Sequence, residues 1–341
     1  MAAVLCRNAA DRKAETWAAG LAPFSRLEFA VSDAARGIAK AVADTAARRD
    51  GPSAPTLEHG LDVFHTTMEA HRALARSWRR AEAAWERAEA ADAEVAAARR
   101  RGADARGAAQ RALAGWAKAV ASLAQAERIE SAWGRARAAL EAFGPDGRLN
   151  DRPRAEAEIA GATADLTGPD WAKVRNALTD PRSLAFLDRM HRRLEAAEPR
   201  PEWREAMAWR WWLRRRRPEP ADRLTGLIRA VGRDGALGAE ERASCDRVAA
   251  VLGDTARASS AVECMNGVLR MQQSRHRRMT QPMLDLKRLY WNCRPFRSGP
   301  RKDACPYRVL GLALPTFDFW ELLHTDPAQL TQELSTQGNA G

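Results

Sequence analysis

Cysteine is sparse and scattered in this chain. Cys6, Cys245, Cys264, Cys293 and Cys305 are odd in number, far apart and without a Cys-x-x-Cys pair. That leaves neither a zinc ligand pattern nor a disulfide framework. Long apolar runs are missing too: none approaches the roughly 20 residues needed to cross a bilayer. The opening Met-Ala-Ala-Val-Leu-Cys is broken too soon, by Arg7 and Asp11, to read as a signal peptide. With hydrophobic residues at 45% and charged residues at 29%, the composition excludes disorder. The expectation is a soluble protein of the cytoplasm, nucleoid-associated if bacterial, with no membrane partner. Its 341 residues suffice for two domains or for one core with a large insertion.

Acidic residues are in deficit. The formal net charge is +11 and the pI about 10.1, which makes polyanions the natural partners. The excess is concentrated: between Arg257 and Leu310 stand twelve Lys/Arg against three acids, Glu263, Asp285 and Asp303. A second island, Trp209 to Arg217, has five arginines and no acid. Either island alone reads equally well as a solvated face. Two in one chain, the larger around a candidate site carboxylate, point to nucleic acid.

Three textures follow one another. Residues 1–66 alternate short apolar strands with helix: strand Ala2–Cys6, helix Asp11–Phe24, strand Leu27–Ser32, helix Ala34–Ala47 and a last strand within Leu57–His65. Such β-α-β-α-β order is the signature of an α/β layer. Residues 67–256 read as helical throughout. His71–Arg101 is rich in Ala, Glu and Arg and predicts a hairpin with Ala103–Phe143, which ends at the turn Gly144-Pro-Asp-Gly147. Residues 257–323 offer helices near Ser259–Gln273 and Pro282–Cys293, then a basic loop and two short apolar segments; 324–341 reads as a flexible tail.

Few residues stand out as chemistry, and each has a plainer role. Asp33 falls where a strand passes into a helix, the usual place for functional groups in open α/β sheets, and also a helix-capping position. Glu263 completes a capping box with Ser260, yet it shares a polar helix face with Asn266 and Arg270 at i, i+3 and i+7. A carboxylate beside an amide and a guanidinium suits a metal and phosphate environment. Asp62 and His65 form an Asp-x-x-His at the end of the third expected strand; a histidine there is most simply hydrogen-bonded.

Ser259-Ser-Ala-Val-Glu-Cys-Met-Asn-Gly-Val-Leu-Arg270 resembles the catalytic-glutamate helix of DDE-type DNA transposases. Leu284 to Phe296 and Cys305-Pro-Tyr-Arg-Val-Leu-Gly311 resemble the segments that follow it in that family. Phe29 to Gly37 resembles the strand bearing the second aspartate, and Leu61-Asp-Val-Phe-His65 the element after it. The resemblance implies an RNase H-like α/β core, truncated at its N-terminus, with a large all-α insertion. It implies a partial core over 1–66, the insertion over 67–256, and the glutamate helix and closing segment over 257–323.

The activity implied is Mg²⁺- or Mn²⁺-dependent cleavage of DNA and its transfer between element ends and target. Asp33 and Glu263 would be catalytic metal ligands, and Asp62, His65 and Asn266 supporting or DNA-contacting groups. Arg270, Arg275, Arg277, Arg278, Trp209, Arg214 and Arg215 would contact DNA; core packing competes as the role of the tryptophans. A homo-oligomer is compatible with this reading. The family's first aspartate belongs upstream of a strand resembling Ala2–Cys6. The expectation is therefore a C-terminal portion, inactive in strand transfer by itself. The competing expectation is a non-catalytic helical DNA-binding or assembly protein whose carboxylates only cap helices.

Overall fold

The computed structural model describes residues 13–33, 35–49, 56–216, 238–255, 280–298, 302–309, 311–312, 314–330 and 332. Among them the chain is predominantly helical, with a single two-stranded parallel sheet. It divides into two compact units, one over Lys13–Ser259 and one joining Met1–Arg12 to Ser260–Gly341. No helix of the described residues is long and apolar enough to cross a membrane.

The larger unit begins with α1 (Ala14–Leu21), β1 (Phe29–Ser32), α2 (Arg36–Ala47) and β2 (Glu58–Leu61). The strands pair in parallel from Phe29↔Glu58 to Ser32↔Leu61. Such a pair needs a crossover, and α2 lies between the strands in sequence. Arg49 ties the far end down by donating to the carbonyls of Leu27 and Phe24.

β2 is shorter than its sequence suggests. Val63, Phe64, Thr66 and Thr67 favour strand, yet the helix α3 (Val63–Arg100) starts at once. The cause is Asp62, whose Oδ1 accepts the backbone N–H of Phe64 at 2.9 Å and caps the helix. The expected strand through His65 is therefore corrected: β2 ends at Leu61, Asp62 caps the helix and His65 lies in the first turn of α3.

α3 forms the expected hairpin with α4 (Arg106–Ala139), the two meeting along alanines. Gly102 makes the turn with φ +65°, a conformation glycine adopts without strain. Next come α5 (Arg152–Asp165), a 3₁₀ turn at Pro169–Trp171, α6 (Ala172–Leu178), a second 3₁₀ turn at Pro181–Leu184, and α7 (Ala185–Ala197). α8 (Pro201–Arg216) and α9 (Ala239–Gly253) complete the unit. Its core joins the base of the hairpin to these helices through Ile129, Trp133, Leu166, Trp171, Leu187 and Val248.

One carboxylate is sealed inside this unit. Glu198 is fully buried, bonded by the Arg200 guanidinium at 2.7 and 3.0 Å and by the Ser244 hydroxyl at 2.6 Å. The Arg200 bonds first, and Ser244 second, hold its carboxyl down to about 2.

The described part of the second unit contains α10 (Gln281–Cys293), α11 (Pro306–Val309) and α12 (Phe319–His324). Leu284, Cys293, Cys305 and Leu322 are buried in it, and Tyr290 meets Phe319 edge-on at 5.4 Å. Burial pushes the Cys293 thiol up to about 11, with Cys305 close by adding to the effect. Asp318 caps α12 by accepting from Trp320 N and Glu321 N.

Candidate functional site

Parallel pairing brings the ends of β1 and β2 to one edge. The backbone N–H of Asp62 donates to Ser32 O at 2.8 Å, which continues the ladder one step past the strands. Asp33 and Asp62 therefore follow the two strands side by side, at the carboxyl edge where open α/β sheets bind ligands. Sequence reading placed each at a strand end, and the register is what makes them neighbours.

The two carboxylates differ in environment. Asp62 is buried and occupied: one oxygen caps α3 and the other lies 3.1 Å from His65 Nδ1. Asp33 is exposed, and its Oδ1 accepts the N–H of Ala35 at 3.1 Å. The N-cap of α2 is Ala35 and not Asp33. Asp33 stabilises the turn into the helix with one oxygen.

Glu263, Asn266, Arg270, Arg275, Arg277 and Arg278 lie outside the described residues. So do the expected strand Ala2–Cys6 and the helix near Ser259–Gln273. Among the described residues no group of three His, Cys, Asp or Glu side chains is arranged to hold a metal. At the strand edge both oxygens of Asp62 are engaged, by Phe64 N and His65, whereas Asp33 uses one oxygen in its turn.

A polar chain behind this edge was not visible in the sequence. Ser32 Oγ lies 2.8 Å from His59 Nε2, and His59 Nδ1 lies 3.4 Å from Arg182 Nη1. Arg182 forks onto Asp180 at 2.9 and 2.6 Å. Burial, then the Arg182 charge, lower the His59 pKa against a smaller opposing effect of Asp180. A serine beside a histidine suggests a nucleophile and its base. Here the group behind the imidazole is a guanidinium, which donates to Nδ1 and leaves the ring proton on Nε2. Ser32 in turn donates to Asp33 O at 2.9 Å. A general base needs the reverse polarity, so this chain fixes the strand edge and does not activate Ser32. Residues 59 and 182 are 123 positions apart, and no local pattern could have paired them.

The basic island Trp209–Arg217 falls on and just beyond α8. Trp209 is 44% exposed, and Arg214 and Arg215 are exposed. Trp211 stacks on Phe143 at 5.7 Å and 17°, with the Arg215 guanidinium 4.4 Å from its ring centre. Trp212 packs against the Gly147 turn, where an added Cβ would come within 2.8 Å of its ring. Trp211 and Trp212 thus serve packing, and Trp209 presents surface. Beside them Arg210, Trp211, Arg214, Arg215 and Asp246 line a cleft of about 210 Å³ between α8 and α9. Phosphates suit its arginines, and the sequence signal for it was the run of arginine beside tryptophan.

No family model, curated protein or solved structure matches this chain.

Proposed function

We propose that the chain belongs to a DDE-type DNA transposase with an RNase H-like core and a helical insertion. One observation carries this reading. A parallel β-α-β unit sets Asp33 and Asp62 in register at its carboxyl edge, and a long helical block then leads on toward the Ser259–Arg270 segment. That order of parts, strand-edge carboxylates and then a helical block before the Glu263 segment in sequence, is the order the resemblance implies.

In this reading Asp33 and Glu263 hold Mg²⁺ or Mn²⁺, with Asp33 using the carboxylate oxygen turned away from Ala35 N. Two ions would be needed to activate the attacking oxygen and stabilise the leaving one, so with this pair of ligands the chain by itself would bind metal weakly and be inactive in strand transfer. Asp62 keeps His65 oriented at the edge, where the imidazole meets DNA. Asn266 and Arg270 bind phosphate beside the glutamate. Arg275, Arg277 and Arg278 on one segment, and Trp209, Arg214 and Arg215 on α8, hold the duplex by charge and stacking.

A non-catalytic DNA-binding or assembly protein is the alternative. It is favoured by the local duties of both aspartates, Asp33 in its turn and Asp62 as a cap. Metal separates the two readings. Titration calorimetry of the full chain with Mn²⁺ should give a binding isotherm that Asp33→Asn and Glu263→Gln each weaken about tenfold or more. An isotherm indifferent to both substitutions, with DNA binding that responds only to salt, supports the alternative.

A further inference from the structure

We propose that the outer part of the α3–α4 hairpin is a self-association surface, whose occupant is the same arm of a second copy of this chain. The inference stands on the hairpin alone and does not depend on the transposase reading. α3 has 38 residues, roughly 57 Å at about 1.5 Å per residue, and only its base joins the main core. Beyond Arg80, which reaches Asp170 at 2.7 Å, the described side-chain contacts of the arm run between α3 and α4 alone.

The seam of this arm is thin. Its buried residues are Ala81, Ala84, Ala88, Val95 and Ala98 on α3, against Ala112, Ala119 and Ala126 on α4. Gly115 brings α4 close to Ala88, with 3.5 Å left for a Cβ. Long helices in water gain most of their stability by burying an amphipathic face, and alanines bury little area. The large apolar side chains lie outside instead: Leu113 is 73% exposed, Val120 57% and Trp85 39%.

These residues form one patch. Leu113, Trp116 and Val120 stand at i, i+3 and i+7 and share a face of α4; Trp78 and Trp85 share a row on α3. Trp85 meets Trp116 edge-on at 4.9 Å and 88°, which joins the two rows across the hairpin. Acids hold both indoles in place: Trp116 donates to Asp92 at 2.6 Å and Trp85 to Glu89 at 3.0 Å.

Charge selects the occupant. From Ala81 to Ala98, α3 carries Glu82, Glu86, Glu89, Asp92 and Glu94 against Arg87 alone. From Arg106 to Ala126, α4 carries Arg106, Arg111 and Lys118 and no acid. Within the arm Arg111 approaches Glu94 at 3.6 Å, while Glu82, Glu86 and Lys118 make no ion pair among the described residues. Over Ala81–Ala126 as a whole seven Lys/Arg stand against six acids, so the arm presents stripes of opposite sign and no single-signed field. That suits a partner bearing the same two stripes rather than a nucleic acid or an anionic membrane. A second arm related by a two-fold axis lays acidic α3 on basic α4 and α4 on α3. It thereby covers both patches in an antiparallel four-helix bundle.

Sedimentation velocity of the full chain over a concentration series tests this. The unaltered chain should form a dimer, and the double variant Leu113→Gln/Val120→Gln should weaken it about tenfold or more. Ala117→Leu adds apolar surface on the exposed face between those two residues and should tighten the dimer. A misfolded arm cannot mimic that gain. A chain that stays monomeric throughout, or a dimer indifferent to both sets of changes, overturns the proposal.

Discussion

A single carboxylate decides where the sheet stops. Asp62 is buried, bonded to Phe64 N and next to His65, so Asp62→Ala removes a cap and leaves an unsatisfied N–H. The expected loss is about 1–2 kcal/mol, read by urea unfolding; a change within error would show that α3 starts without its cap. Glu198 gives a second test. Its folded pKa is depressed from 4.5 to about 2, so it contributes stability above pH 4.5 that is lost as pH falls toward 2. Glu198→Gln should therefore lower Tm near neutrality, and its deficit should shrink as pH drops below 4.5. A deficit constant down to pH 2.5 would mean that the arginine bonds add no charge-dependent stability.

The elements themselves were largely legible in the sequence. The hairpin α3–α4, the turn at Gly144–Gly147, the helices bounded by proline and the pair β1–α2 all follow from spacing and punctuation. What failed was the stretch after Leu61, where β-favouring side chains pointed to strand and a capping aspartate won. At the strand edge the candidate residues were legible one by one and not as a constellation. Asp33 and Asp62 could be named, whereas their side-by-side register, and the bond from His59 to Arg182, are set by tertiary packing. Two glycines test the element scale in opposite directions. Gly134, exposed on α4, has open space for a Cβ, so Gly134→Ala should stabilise by about 0.5–1 kcal/mol. Gly147 sits at φ +79° against Trp212, so Gly147→Ala should cost about 1–2 kcal/mol or more. Thermal unfolding of both variants checks the pair, and shifts of the same sign would refute this account of the turn.

At the scale of the whole molecule the chain is basic. A net charge of +11 would attract a polyanion over a long range and in a salt-sensitive way, but charge alone performs no reaction. The central proposal is that Asp33, exposed where β1 ends, is a metal ligand. The most direct measurement is anomalous diffraction from crystals of the full chain soaked in Mn²⁺. The account predicts a peak at the carboxyl end of β1, within ligand distance of Asp33 and lost in Asp33→Asn. No peak there, with Asp33 left only in its turn to Ala35, would contradict it.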